Sequence, residues 1–354
     1  MSTFTGVIPR EGLTADVLLW LIKSTALNPI ITLPLLLLSR YTHRGQALAL
    51  SSGLTFDRLK PLLCCGLARW ANNLLNYAVL NNWRQDEYHW DKEIVLITGG
   101  SDGIGKVVVQ LLAQRGVKVA VLDVQPLTFE APSNVHFYRC DVRSTTSIAK
   151  AAQYIRADLG HPTVLINNAG VGRGKTILDG AETDVRLTFD INTLSHYWTV
   201  KEFLPDMIAN NHGMVVTIAS VASYVAAPQM VDYSASKAAA LSFHEGLTSE
   251  LTTRYNAPKV RTVVINPGHV KTKLFAGFDQ GSPMIYPSLE VETIAEAIVN
   301  KVLSGTSGQV VLPVMSNIVS ALRCWPHWLQ IQIRGNAHKM MLHWNGRQVE
   351  QLNK

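Results

Sequence analysis

The 354-residue sequence predicts a doubly wound α/β fold, a parallel sheet of about seven strands covered by helices on both faces. Three observations predict it. Strand-like and helix-like runs alternate from about Asp91 to Pro313, the strand runs are almost continuously apolar, and a glycine-rich turn joins the first strand to the first helix. Continuous apolar strands separated by helices belong to sheets buried on both faces, whereas a sheet with one wet face alternates polar and apolar residues.

The strands read as residues 94–98, 118–122, 135–138, 164–167, 214–219, 261–265 and 309–312. The helices between them read as 104–114, 147–159, 182–210, 234–254 and 291–303. This zone, 91–313, is expected to form one domain. It is flanked by a hydrophobic N-terminal extension (1–90) and an amphipathic C-terminal tail (314–354).

The N-terminal extension carries an apolar run over 17–38, long enough to cross a bilayer, for which roughly 20 residues suffice. Lys23, Asn28, Pro29 and Pro34 interrupt it, so an interfacial or re-entrant hairpin competes with a clean span. A cleaved signal peptide fits poorly, because the residues before the run are not basic and four leucines follow Pro34. Arg40, Arg44, Arg58 and Lys60 follow the run, which by the positive-inside tendency places the rest of the chain in the cytosol. The lack of any Asn-x-Ser/Thr sequon agrees. Leu63, Leu67, Trp70, Leu74 and Tyr77 recur at three and four residues, the pattern of an amphipathic helix. In the tail, Trp325, Trp328 and Trp344 lie among Leu329, Ile331, Ile333, Arg323, Arg334 and Lys339. Of eight tryptophans only Trp198 falls in the middle zone, and indole favours membrane interfaces. A substrate-covering lid is the other use for such a tail.

Composition points the same way. Hydrophobic residues make up 47% and charged residues 16%, against about a quarter charged in typical soluble domains. Apolar surface therefore needs a cover, either a membrane or a second copy in a homodimer. The net charge of +6 comes from scattered basic residues, which suits an anionic lipid surface better than nucleic acid. The four cysteines, Cys64, Cys65, Cys140 and Cys324, show no metal-ligand spacing. No metal site is expected, and vicinal Cys64–Cys65 reads as packing or a lipidation site rather than a disulfide.

The chemistry begins at Thr98-Gly99-Gly100-Ser101-Asp102-Gly103-Ile104-Gly105. Glycines at 99, 103 and 105 let the backbone turn tightly and approach a pyrophosphate, which sits on the amides and positive dipole of the following helix. That is a Rossmann-like dinucleotide site. Asp123, closing the second strand, can accept hydrogen bonds from adenosine ribose hydroxyls and would repel a 2′-phosphate. Val124 and Gln125 follow it, offering no adjacent basic residue, and Asp102 adds negative charge. NAD is therefore expected, with NADP as the alternative.

Tyr233-Ser234-Ala235-Ser236-Lys237 places a phenol and an ammonium at i and i+4, on one helix face. A free tyrosine is a poor base near neutral pH, and a neighbouring cation that stabilises the phenolate makes proton transfer feasible. Ser220 ends a strand thirteen residues earlier, at the edge where ligands bind in such sheets.

The glycine turn, Asn167-Asn168-Ala169-Gly170, Ser220, Tyr233, Lys237 and Pro267-Gly268, in this order and spacing, resemble the short-chain dehydrogenase/reductase family over about 91–313. The apolar N-terminus, Gly170-Val171-Gly172-Arg173-Gly174-Lys175 and the Trp-rich tail resemble its membrane- and lipid-droplet-associated branch, which includes retinol and hydroxysteroid dehydrogenases. The resemblance implies that Tyr233 is the acid/base, that Ser220 binds the reacting oxygen and that Lys237 holds the ribose and lowers the tyrosine pKa. It implies that Asn192 positions a relay water. The cofactor would meet Gly99, Ser101, Gly103, Ile104, Gly105, Asp123, Asp141 (adenine), Asn168 (ribose), Tyr233 and Lys237, with Val270 and Thr272 at the carboxamide. Ser223 departs from the family pattern, where glycine is frequent, and bears on pocket shape.

The expected protein is an NAD-dependent dehydrogenase of a lipophilic alcohol such as a retinoid or steroid. It is expected on the endoplasmic reticulum or a lipid droplet, with its catalytic domain facing the cytosol. The alternatives are an NADP-linked ketone reductase of lipid metabolism and, in another class, a non-catalytic NAD-sensing scaffold on a membrane.

Overall fold

A computed structural model describes residues 9–53 and 56–348; the remaining residues of the two expected extensions lie outside the described ones. The chain forms two compact units, Gly12–Trp83 and the remainder.

In the first unit, helices α1 (Ala15–Ser24), α2 (Pro29–Tyr41), α3 (His43–Ser52) and α4 (Phe56–Leu80) follow one another. The apolar run over 17–38, for which a clean span competes with an interfacial or re-entrant hairpin, is not one helix. It breaks into α1 and α2, bent by 50°, and among the described residues no single helix is long and apolar enough to cross a membrane. Polar groups cause and satisfy the break. Thr25 spends its hydroxyl on the Leu21 carbonyl at 2.6 Å, Asn28 Oδ1 caps Ile30 N–H at 3.1 Å, and Pro29 starts α2 without an N–H to lose. Arg69 on α4 donates to the carbonyls of Lys23 and Leu27 at 3.0 and 3.1 Å, capturing acceptors the break leaves open.

The second unit holds the sheet: β1 (Ile94–Thr98), β2 (Lys118–Asp123), β3 (Val135–Arg139), β4 (Val164–Asn167), β5 (Met214–Ile218), β6 (Arg261–Pro267) and β7 (Gly308–Leu312). Their order is β3-β2-β1-β4-β5-β6-β7, all neighbours parallel. Seven strands were expected, and ends move by at most two residues. Helices α5 (Gly103–Ala113), α6 (Thr145–Asp158), α7 (Glu182–Phe189), α8 (Ser195–Asn210), α9 (Val231–Thr253) and α10 (Val291–Leu303) cover it. The twofold period of a strand sends successive residues to opposite layers. Val95 and Ile97 join Val108, Leu112, Ile294 and Ile298 on one face, and Leu96 joins Ile155, Phe203 and Leu251 on the other. The single helix expected over 182–210 is instead two helices joined by a π-helical turn, Asp190–Leu194, a feature often found at functional sites.

The order reverses between β1 and β4, and in an open α/β sheet the crevice beyond the strand ends at such a point is where ligands bind.

The segment leading into β1 is bonded to the sheet from Arg84 onward. Tyr88 donates to the Gly213 carbonyl at 2.7 Å, buried Arg261 to the Arg84 carbonyl at 2.7 Å, and His212 meets Asp86 at 2.7 Å and Glu93 at 3.3 Å. The Glu93 contact, then Asp86, raise the His212 pKa against the opposing effect of burial. A histidine whose folded pKa is raised contributes stability that is full below its unfolded pKa, about 6.5, and lost as pH rises through the folded value. The stability advantage of the wild type over His212→Gln should thus be largest below about pH 6.5 and shrink in alkaline buffer. Thermal melts at several pH values check it, and a difference that ignores pH sinks the idea.

Candidate active site

One groove runs along the carboxyl ends of the strands. It is lined at one end by the glycine turn and Asp123, and at the other by Ser220, Tyr233, Lys237 and Phe275. The turn exists because Gly99 adopts φ +67°, and a Cβ there would meet the Ala169 Cα at 2.8 Å. Asp102 then caps α5 by accepting from Gly103 N–H at 2.9 Å. Asn168 clasps β1 to β4, its amide donating to the Thr98 and Gly99 carbonyls at 3.0 and 2.9 Å.

Asp123 faces the groove with both oxygens engaged, Oδ2 accepting from Ser101 N–H at 3.0 Å and Oδ1 from Gln125 N–H at 3.1 Å. Asp141 also lines the groove, paired bidentately with Arg143, whose Nη2 is 2.6 Å away. Gly103, Ile104, Gly105, Val270 and Thr272 line it as well. Two of the expected residues do not. Ser101 is buried with its hydroxyl on the Gln125 carbonyl at 2.9 Å, so it shapes the turn and orients Asp123 through its backbone. Asn192, on the π-turn, accepts from Val171 N–H at 2.8 Å and donates to the Val171 carbonyl at 2.9 Å and Ser236 Oγ at 3.0 Å. Its side chain therefore fixes the loop after β4.

At the reacting end Tyr233 and Lys237 share a face of α9, the ammonium 5.9 Å from the phenol ring centre. Lys237 is 3% exposed and donates to the Ile218 carbonyl at 2.7 Å. Burial pulls its pKa down to about 8. Burial also pushes the Tyr233 phenol up to about 12, only partly offset by a hydrogen bond from Ser220. The direction is opposite to the lowering expected from a neighbouring ammonium, because burial dominates and Ser220, not Lys237, is the group that opposes it in the protein alone. Ser223 donates to the Lys237 carbonyl at 2.9 Å and bears on α9 rather than on the groove wall.

The expectation that no basic residue serves the Asp123 end holds only along the chain. Folding brings Lys273 and Arg347 to Asp102, at 2.9 and 3.1 Å, and both line the groove. Phe275 stands edge-on to Tyr233, 5.4 Å between ring centres, with Met230, Met341 and Trp344 in the same apolar cluster. No motif marked Lys273, Phe275 or Arg347, since their partners lie far away in sequence.

The donor set fits a dinucleotide. A helix N-terminus and glycine turn suit a pyrophosphate, a strand-end carboxylate suits ribose hydroxyls, and a buried ammonium that donates to a main-chain carbonyl suits a second ribose.

A model of the short chain dehydrogenase family matches residues 93–282. The chain is 46% identical over 202 residues to Dehydrogenase RED2 of Cochliobolus heterostrophus, covering 56% of this chain and 75% of that protein. It is 35% identical over 220 residues to human epidermal retinol dehydrogenase 2, covering 60% and 71%. Among solved structures, a short chain dehydrogenase from Burkholderia cenocepacia, in complex with NADP, superposes with a TM-score of 0.59 at 24% identity. That match covers 69% of this chain and 99% of the other.

Proposed function

Since the chain belongs to the short-chain dehydrogenase family and is thereby an NAD(P)-dependent oxidoreductase of alcohols and carbonyls, we propose that its substrate is a lipophilic alcohol or ketone met at a membrane surface. The observation that carries this reading is the apolar wall of the groove beside Tyr233, to which Phe275 and Leu274 contribute and which is backed by a cluster with Met230, Met341 and Trp344. Such a wall rewards an apolar substrate by about 25 cal/mol per Å² buried and offers a polar one little. A relative named as a retinol dehydrogenase agrees with it.

Bound NAD or NADP supplies the hydride acceptor or donor. Ser220 holds the substrate oxygen by a hydrogen bond, and Tyr233 takes the hydroxyl proton in oxidation or returns it in reduction. Lys237 binds ribose hydroxyls and stabilises the phenolate as it forms, while Asn192 fixes the loop after β4 beside it. Gly99, Gly103, Ile104, Gly105, Asp123, Asp141, Asn168, Val270 and Thr272 hold the cofactor, with Ser101 orienting Asp123. A scaffold would have no use for this set of groups in one groove. Residues 91–313 form the dehydrogenase domain in this reading, and the flanks serve attachment and cover.

Membrane attachment rests on exposed apolar side chains in Gly12–Trp83, among them Trp20, Ile30, Leu50 and Leu74, each more than 60% exposed. Fully burying a Leu or Ile side chain is worth about 1.5–3 kcal/mol, and large apolar side chains left exposed together mark interaction sites. In the catalytic unit Ile177 and Leu178 project from the loop after Gly174. The full chain should sediment with membranes through a high-salt wash. Charging Trp20, Ile30 and Leu74 together to glutamate should release it; a wild type found in the soluble fraction contradicts attachment. Turnover of a long-chain or polycyclic alcohol should exceed that of ethanol or glycerol, and equal rates would remove the lipophilic assignment.

A further inference from the structure

We propose that Arg347, carried to the groove by the C-terminal strap, is a cofactor-specificity residue that supplies the positive charge for the 2′-phosphate of NADP(H). The proposal rests on the reading of the groove as a dinucleotide site.

The strap is built to hold this residue in place. Asn345 N–H donates to the Ala276 carbonyl at 3.0 Å, Arg347 N–H to the Lys273 carbonyl at 2.8 Å, and Trp344 Nε1 to the Leu274 carbonyl at 3.0 Å. Gly277 permits the approach, since a Cβ there would lie 2.0 Å from the His343 carbonyl oxygen. The Arg347 backbone is thus fixed to the loop after β6, and the side chain reaches over the N-terminus of α5. One guanidinium nitrogen pairs with Asp102 at 3.1 Å, and another donates to the amide oxygen of Gln125, two residues beyond Asp123.

These two contacts differ in kind. Asp102 has a second cation, Lys273, at 2.9 Å, so this carboxylate with its two partners carries one net positive charge, enough to offset the negative charge of Asp123. The Gln125 contact is to a neutral amide. A phosphate oxygen is a stronger partner for a guanidinium than an amide oxygen, because charge-assisted bonds are roughly twice as strong and the fork geometry matches. The arm on Gln125 is therefore the one a 2′-phosphate can take over while the Asp102 pair holds the side chain in place. Asp123, the obstacle to that phosphate, has each oxygen engaged by a backbone amide. Its charge is partly dispersed before any ligand arrives. The groove can then serve both cofactors, Asp123 for the ribose hydroxyls of NAD and Arg347 for the phosphate of NADP.

The test measures dissociation constants of NADH and NADPH by fluorescence titration, with no substrate present, on the full chain and on Arg347→Ala and Arg347→Lys. Wild type should bind both. In Arg347→Ala the ratio of the NADPH constant to the NADH constant should rise by about tenfold or more, the range for losing a charge-assisted hydrogen bond. Arg347→Lys, which keeps the charge, should recover at least half of that change on a logarithmic scale. A ratio that moves less than tenfold in Arg347→Ala, whether both affinities fall together or neither changes, overturns the proposal and leaves the dinucleotide reading intact. So does a wild type that binds NADH and not NADPH. A wild type that binds neither overturns both.

Discussion

Tyr233→Phe should lower kcat/KM by about 10² to 10⁴, the loss typical when a general acid/base is removed, while dinucleotide binding persists. The substitution deletes one oxygen from a buried side chain and keeps the ring that packs edge-on against Phe275. Loss of rate is then not loss of fold, and the circular dichroism spectrum should match the wild type. The phenol is pushed up to about 12 by burial in the protein alone. Its proton must therefore be drawn off in the assembled site, and activity in the oxidising direction should climb with pH above neutrality. Retention of more than about a tenth of the wild-type rate would remove Tyr233 from the acid/base role.

The second large effect is at Lys237, where stability and activity should move apart. A buried ammonium whose pKa falls from 10.5 to about 8 disfavours the folded state by about 3 kcal/mol at neutral pH. Because the folded value is the depressed one, that cost is full below pH 8 and fades as pH rises towards 10.5. Lys237→Met keeps the stem and removes the charge. It should leave the thermal midpoint of the cofactor-free protein unchanged or higher, and weaken dinucleotide binding. Turnover should fall by about 10² or more, since the phenolate loses its cation and the ribose its donor. A variant that melts lower while binding dinucleotide normally would make Lys237 a structural residue.

Cofactor choice shows how far chain order carries. Asp123 followed by Val124 and Gln125 argues for NAD, and the argument is sound for neighbours in sequence. Arg347 stands 245 residues from Asp102 and 222 from Gln125, and only the folded strap brings them together.

The sequence by itself determined the alternation of β1–β7 with their helices, the glycine turn ahead of α5, and the shared face of Tyr233 and Lys237. These follow from covalent geometry, since twofold and 3.6-fold periods and the freedom of glycine act within a few residues. It also held the polar interruptions at Thr25, Asn28 and Pro29 that divide the apolar run. Tertiary structure alone decided which charges meet in the groove, how Asn192 is spent, and which way Tyr233 shifts. Contacts across the whole chain and the withdrawal of water set those outcomes, and neither is a property of a short stretch of sequence.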